Sequence, residues 1–178
     1  MTHRLFAAIR PPESIRDLLI DRMENLDGAR WQGDDQLHLT LRFIGDADAP
    51  LANDIAESLA TVRAEPFELA LDGIGHFERK GRPHTLWAGL SPSGRLRDLQ
   101  RRVENACRKA GCLAAGRKFA PHITIARLNA GTAPIGPWIA DNAALRSEPW
   151  SVEAFTLYES HLGASGALYE PVLRYQIR

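Results

Sequence analysis

Two periods of hydrophobic residues run along the chain and predict which segments are strands and which are helices. Apolar runs or alternating apolar positions are typical of β-strands, and apolar positions at i, i+3 and i+4 are typical of amphipathic helices. The predicted strands are 5–9, 37–44, 67–71, 85–90, 121–126, 151–158 and 169–177. The predicted helices are 12–26, 51–62 and 96–110. Helices thus alternate with strands along most of the chain.

The order strand, helix, strand occurs twice. It runs from Leu5 to His38 and again from Leu86 to His122, over 33 and 36 residues. A duplication of this size predicts two similar lobes related by a pseudo-two-fold axis, which would bring the equivalent second strands together at a shared groove. We therefore expect one domain, residues 1–178, made of two intertwined lobes.

Composition narrows the class of protein. Apolar residues make up 44% and charged residues 25% of the chain, which is typical of globular proteins without a membrane span. The 22 basic and 22 acidic residues balance, so any contact with RNA must be local. The residues from Arg10 to Glu13 interrupt the first apolar stretch, so we expect no signal peptide and a cytoplasmic protein. We expect Cys107 and Cys112 to be reduced thiols.

A His-apolar-Thr-apolar tetrad ends each of the two repeated units. The chain holds six His and seven Thr, so random placement predicts roughly 0.05 such tetrads. Two are present, from His38 to Leu41 and from His122 to Ile125. On a strand, residues i and i+2 lie on the same face, so each tetrad should present an imidazole and a hydroxyl together.

Two such pairs suit in-line phosphoryl transfer. One imidazole can accept a proton from the attacking oxygen while the other protonates the leaving oxygen. The hydroxyls of Thr40 and Thr124 can donate to nonbridging phosphate oxygens. Metal sites for phosphate chemistry favour carboxylate ligands, and neither tetrad contains one. We therefore expect neither a metal nor a cofactor.

The chain resembles the two-histidine (2H) phosphoesterases, and within them the RNA 2′,3′-cyclic phosphodiesterases, also described as 2′-5′ RNA ligases. The matching segments are RLFAAI from Arg4, HLTLRFIG from His38, LWAG from Leu86, FAPHITIAR from Phe119 and LYES from Leu157, with Gly166 and Tyr169. The resemblance implies an α+β fold of two lobes, with antiparallel sheets flanked by helices around a central groove. It also implies hydrolysis of a terminal 2′,3′-cyclic phosphate on RNA to a 2′-phosphate, with reversible 2′-5′ ligation as a further activity.

The resemblance further implies that His122 is the base that activates water and that His38 is the acid that protonates the leaving 3′ oxygen. Arg127 matches an arginine that follows the second motif in the family and would supply positive charge to the phosphate. Strand alternation places Arg127 on the wrong face unless the strand ends or bulges after Ile125. The same alternation places Arg42 on the face of His38. Both arginines are therefore predicted phosphate contacts.

Three alternatives stay open from the sequence. The substrate could be a small cyclic nucleotide or a 2′-5′ oligoadenylate, or the protein could be a noncatalytic module that binds RNA ends.

The run Arg79-Lys80-Gly81-Arg82 is either a contact for the RNA backbone or a solvated loop. Balanced charge and the absence of a heptad pattern predict a monomer.

Overall fold

The computed structural model describes residues Met1–Arg178, which form ten strands and four α-helices. The strands are β1 Thr2–Ile9, β2 Arg30–Trp31, β3 Leu39–Asp48, β4 Phe67–Leu69, β5 Leu71–Arg79, β6 Arg82–Leu90, β7 Ile123–Arg127, β8 Trp150–Val152, β9 Ala154–Gly163 and β10 Gly166–Gln176. The helices are α1 Glu13–Ile20, α2 Ala49–Leu59, α3 Gly94–Lys109 and α4 Gly136–Asn142. None of the four is both long enough and apolar enough to cross a bilayer.

Eight of the strands form one antiparallel sheet in the order β10-β9-β1-β3-β7-β6-β5, and β2 pairs with β7 off this path. Strands β4 and β8 form a separate two-stranded sheet. The two repeated units are therefore β1-α1-β3 and β6-α3-β7, and in each unit the two strands are direct neighbours. The predicted α+β class with antiparallel strands is confirmed, and the two halves share a continuous sheet.

One face of this sheet packs against the helices. Helix α3 begins at the cap Ser93, whose Oγ accepts from the Leu96 amide at 3.1 Å, and its apolar stripe is buried. The strands contribute residues such as Leu39 and Ile123 to the same core of 33 buried residues. On the opposite face, Phe6 and its neighbours form only a small buried cluster. That face is free to form a site.

Helix α1 is shorter than its hydrophobic pattern predicts. It ends at Ile20, and the chain then turns through Asn25 and Gly28, both with positive φ. Leu26 is nevertheless 7% exposed, and Met23 also packs against the core. The hydrophobic pattern extends beyond the end of α1 because the irregular segment after the helix also buries its apolar side chains in the core.

The sequence prediction missed most of β5, and the basic run from Arg79 to Arg82 is the tip of the hairpin between β5 and β6. Residues Lys80 and Gly81 form a two-residue turn between β5 and β6, and both have positive φ, at 53° and 76°. This conformation suits the twist of a tight hairpin. Gly73 and Gly75 interrupt the alternation of apolar and polar residues in β5, so the sequence of this strand does not show the period of two that predicts a strand.

Candidate active site

The two tetrads lie on neighbouring antiparallel strands, β3 and β7. These strands are joined by a single pair of residues, Leu39 and Ile123, which are the second residues of the two tetrads. Because the two strands are antiparallel, His38 lies on the side of Thr124, and Thr40 lies on the side of His122. The pseudo-two-fold axis therefore passes through the pair, and both histidine–threonine sets face one groove on the open side of the sheet.

Each histidine is held by a carbonyl oxygen two residues before it. His38 Nδ1 lies 2.7 Å from the Gln36 oxygen, and His122 Nδ1 lies 2.7 Å from the Ala120 oxygen. A carbonyl oxygen only accepts hydrogen bonds, so each Nδ1 carries the proton and donates it. The neutral ring then has a free lone pair on Nε2. Both histidines are thus in the tautomer that a general base needs.

Aromatic side chains surround both rings in matching positions. Each imidazole meets one aromatic ring edge-on, with interplanar angles of 89° at His38 and 86° at His122. A second ring lies tilted beside each imidazole. The edge-on and tilted partners are Tyr169 and Phe6 at His38, and Phe77 and Trp87 at His122. These contacts fix the ring orientations and remove water from them.

Gly75 allows Trp87 to lie close to β5. A Cβ atom at Gly75 would come within 2.3 Å of the Trp87 ring. The glycine is therefore required for the wall beside His122, although it has no side chain in the groove. A glycine within a strand indicates close approach of some group, but the sequence does not say which group approaches. Sequence reasoning therefore missed this residue.

Burial lowers the pKa of both histidines. The pKa of His38 falls to about 4, mainly through loss of solvent, with smaller contributions from the charges of His122, Arg10 and Arg127. The pKa of His122 is also lowered, again mainly by burial and further by Arg127. The hydrogen bonds to the carbonyl oxygens act in the opposite direction. Before substrate binds, both rings are therefore neutral near pH 7.

A bulge brings Arg127 to the groove side of β7. Trp87 pairs with Thr124 and Leu86 pairs with Ala126, so Ile125 is an extra residue in β7. The extra residue reverses the alternation, so that Arg127 returns to the face of Thr124. The Arg127 guanidinium donates to Thr85 Oγ1 at 3.2 Å, and its charge acts on both histidines.

A matching bulge moves Arg42 away from the groove. Ala8 pairs with Thr40 and Ala7 pairs with Arg42, so Leu41 is the extra residue in β3. The expectation that Arg42 shares a face with His38 is therefore wrong, because it assumed an unbroken strand.

The Arg42 side chain is instead part of the packing between β3 and α3. Its residue is 8% exposed, and its guanidinium forms an ion pair with Glu104 and donates to the carbonyl oxygens of Phe43 and Leu113. Glu104 also accepts from the Ala115 amide at 2.9 Å. The arginine thus links a strand, a helix and the loop after that helix.

Comparison with known proteins agrees with this geometry. Residues 11–164 match the family model described as the 2′-5′ RNA ligase superfamily. An RNA 2′,3′-cyclic phosphodiesterase from Thermotoga maritima is 32% identical, over 94% of this chain and 91% of that protein. One from Geobacillus stearothermophilus is 35% identical over 80% of this chain, but the match spans only 46% of that protein.

The fold also matches solved structures. The crystal structure of Escherichia coli LigT complexed with 3′-AMP superposes with a TM-score of 0.81 and 28% identity, covering 99% of both chains. The fold is that of the two-histidine phosphoesterases. The chain belongs to the 2′-5′ RNA ligase superfamily. The predicted family is thereby confirmed.

Proposed function

We propose that this protein hydrolyses a terminal 2′,3′-cyclic phosphate on RNA to a 2′-phosphate, without a metal ion or cofactor. The observation that carries the proposal is the pair of Nδ1 hydrogen bonds, which leave two Nε2 atoms available for proton transfer in one groove. Two histidines in that state suit a reaction in which one proton is taken and another is given. The names of the curated relatives point to the same substrate.

In the proposed reaction His122 accepts a proton from water, and the water oxygen attacks phosphorus. The bond between phosphorus and the 3′ oxygen breaks, and His38 gives its proton to that oxygen. The products are a 2′-phosphate and a free 3′-hydroxyl, so protons and bonds balance. The cyclic phosphate is itself an anion, and its negative charge raises the pKa of a nearby imidazole. This rise offsets the lowering of the His38 pKa that burial causes.

The threonines and one arginine supply the charge stabilisation. The hydroxyls of Thr40 and Thr124 donate to the nonbridging oxygens from opposite sides and hold phosphorus between the imidazoles. Arg127 adds positive charge on the same face, and its contact with Thr85 directs the guanidinium along β6. Arg42 has no part in the proposed site because Glu104 and two carbonyl oxygens occupy its guanidinium.

The alternatives differ in substrate or in catalysis. Escherichia coli LigT has been crystallised with 3′-AMP, with NADP+ and with ATP, which supports a nucleotide as the group that the groove accepts. A small cyclic nucleotide would use the same histidines, so only comparison of substrates separates the two. A module that merely binds RNA ends would need donors to phosphate but no proton acceptor, and both Nε2 atoms are acceptors.

The test is to incubate the protein in EDTA with an RNA that ends in a 2′,3′-cyclic phosphate and to identify the product by phosphorus NMR. We expect a 2′-phosphate. A 3′-phosphate would show that the leaving oxygen is wrongly assigned, and loss of turnover in EDTA would contradict metal independence.

Variants test the histidines themselves. His38→Asn and His122→Asn should each lower kcat by at least about a hundredfold, since general acid or base catalysis contributes roughly that much. His161→Asn is the matched control, because His161 is exposed and pairs with Glu170. Equal rates in all three variants would contradict the proposed catalysis.

A further inference from the structure

A cluster of cations lies at the tip of the β5–β6 hairpin, outside the catalytic groove. Arg79, Lys80 and Arg82 are exposed, and none of them forms an ion pair. The carboxylate nearest to them in sequence, Glu78, lies 2.8 Å from His76 Nε2. The three cations border a depression of about 900 Å³ that also contains His84. We call these three residues the hairpin cluster.

Hydrogen bonds lead from the edge of this depression to Arg127 in the catalytic groove. His84 Nδ1 lies 2.8 Å from Thr85 Oγ1, and Arg127 donates to the same oxygen at 3.2 Å. Residues 82 and 85 are three positions apart on β6, which is about 10 Å along a strand. Stacked nucleotides rise about 3.4 Å each, so about three nucleotides span that distance.

Charge continues across the neighbouring strand as well. Arg30 on β2 is the direct register partner of Arg127, and both residues are exposed. Like charges directly opposite each other in a ladder are destabilising on their own. An anion bound between the two arginines would remove that repulsion. Positive charge therefore lies on both sides of β7, at Arg30 on β2 and at the hairpin cluster beyond β6, with Arg127 between them.

The other end of the groove has a different charge. Beside His38 and Tyr169 lies a depression of about 650 Å³ bordered by Arg10, Asp34 and Asp35. Arg10 and Arg16 both pair with Asp34, and the Asp35 carboxylate is exposed. The two arginines and the two carboxylates at this end therefore carry no net charge together. An RNA backbone leaving the groove in this direction would meet carboxylates.

We propose that the hairpin cluster binds backbone phosphates of the RNA strand on the 5′ side of the cyclic end. This inference rests on the proposed function. It makes the enzyme prefer an oligonucleotide to a mononucleotide that carries the same cyclic phosphate. Such a preference requires a local cluster of cations, because the chain as a whole carries no net charge.

The experiment compares kcat/KM for a nucleoside 2′,3′-cyclic phosphate with kcat/KM for a four-nucleotide RNA ending in the same group. The variant is Arg79→Gln/Lys80→Gln/Arg82→Gln. The control is Arg97→Gln/Arg108→Gln/Lys109→Gln, which removes two arginines and one lysine from exposed positions on α3.

In the native protein we expect a preference for the four-nucleotide substrate of roughly tenfold at low salt, falling as salt rises. The hairpin variant should lose most of that preference, and the control should keep it. The slope of log(kcat/KM) against log salt should decrease by about 0.7 for each backbone phosphate that the hairpin variant no longer binds.

A second substrate identifies the contacted phosphate. Replacing one of the first three backbone phosphates with a neutral methylphosphonate should reduce the rate of the native protein to that of the hairpin variant, and should not reduce the variant further. Turnover of both substrates with no difference between the hairpin variant and the control would overturn this inference alone. Failure of the native protein to hydrolyse either cyclic phosphate would instead overturn the proposed function.

Discussion

Leu39 and Ile123 form the single residue pair between the motif strands β3 and β7, and the histidines and threonines of the two tetrads flank that pair. Both residues are buried, with exposures of 1% and 0%. They lie on the core face, while the histidines and threonines lie on the groove face. The distance between the two histidines therefore depends on packing on the opposite side of the sheet.

Ile123→Ala should lower both stability and activity. Removing a buried isoleucine side chain to the β-carbon costs about 2–5 kcal/mol, and the cavity here lies directly between the motif strands. The free energy of unfolding is measured by urea denaturation, and kcat is measured well below the melting temperature. Ile55→Ala on α2 is the control, because Ile55 is also 0% exposed but lies outside the two motif strands. A similar fall in kcat in both variants would contradict the coupling of packing to catalysis.

The pH dependence of activity should differ between kcat/KM and kcat. Catalysis needs one protonated and one neutral imidazole, so each profile is bell-shaped. In the free enzyme the pKa of His38 is about 4, and the pKa of His122 is below 6.5. The profile of kcat/KM should therefore have its maximum between about pH 4 and pH 6.5. The bound anion raises both pKa values, so the profile of kcat should lie at higher pH. Identical profiles, or a flat profile from pH 4 to 8, would count against this pair.

The burial of His38 should make the fold less stable in acid. The unfolded chain protonates this histidine near pH 6.5, whereas the folded protein does so near pH 4. Between these values the unfolded state binds more protons, so stability falls as pH falls, by about 3 kcal/mol from this group. The His38→Asn variant should lose correspondingly less stability between pH 7 and pH 4.5, as measured by urea denaturation. His161→Asn should behave like the native protein, and parallel curves for all three proteins would refute the assignment.

Arg127 and Arg42 should have opposite effects when substituted. Arg127→Gln removes charge from the groove and should lower kcat/KM by roughly tenfold to a hundredfold, with little change in stability, because Arg127 is exposed. Arg42→Gln removes one partner of a buried ion pair and should destabilise the fold by about 3–5 kcal/mol. Glu104→Gln should resemble Arg42→Gln. Thermal denaturation and steady-state kinetics on the native protein and these three variants separate the two effects.

The strongest sequence signals concerned side chains that repeat with the period of a strand. The tetrads were found because His38 and Thr40, like His122 and Thr124, are two residues apart within apolar runs. The repeated unit was found for a similar reason, since its strands and helices have clear periods. These features depend on local pattern, which a single sequence contains.

The bulges could not be predicted in the same way. Leu41 and Ile125 are extra residues only with respect to the neighbouring strands β1 and β6. A bulge is a property of two paired strands, and no residue type at these positions marks it. The pairing with β1 and β6 therefore determines on which face of the sheet Arg42 and Arg127 lie, and a single sequence does not show that pairing.

A cytoplasmic location and a monomeric state stay predictions.

The carbonyl oxygens that hold the two Nδ1 protons also limit how the enzyme is reset after each reaction. In the proposed mechanism a turnover begins with a proton on His38 Nε2, and it ends with His38 neutral and with a proton from water on His122 Nε2. Neither ring can pass that proton through its other nitrogen, because Nδ1 is already protonated and bonded to the chain. The exchange must therefore occur through Nε2 and solvent, after the product has left. Each catalytic cycle thus includes a recovery step that needs an open, water-filled groove.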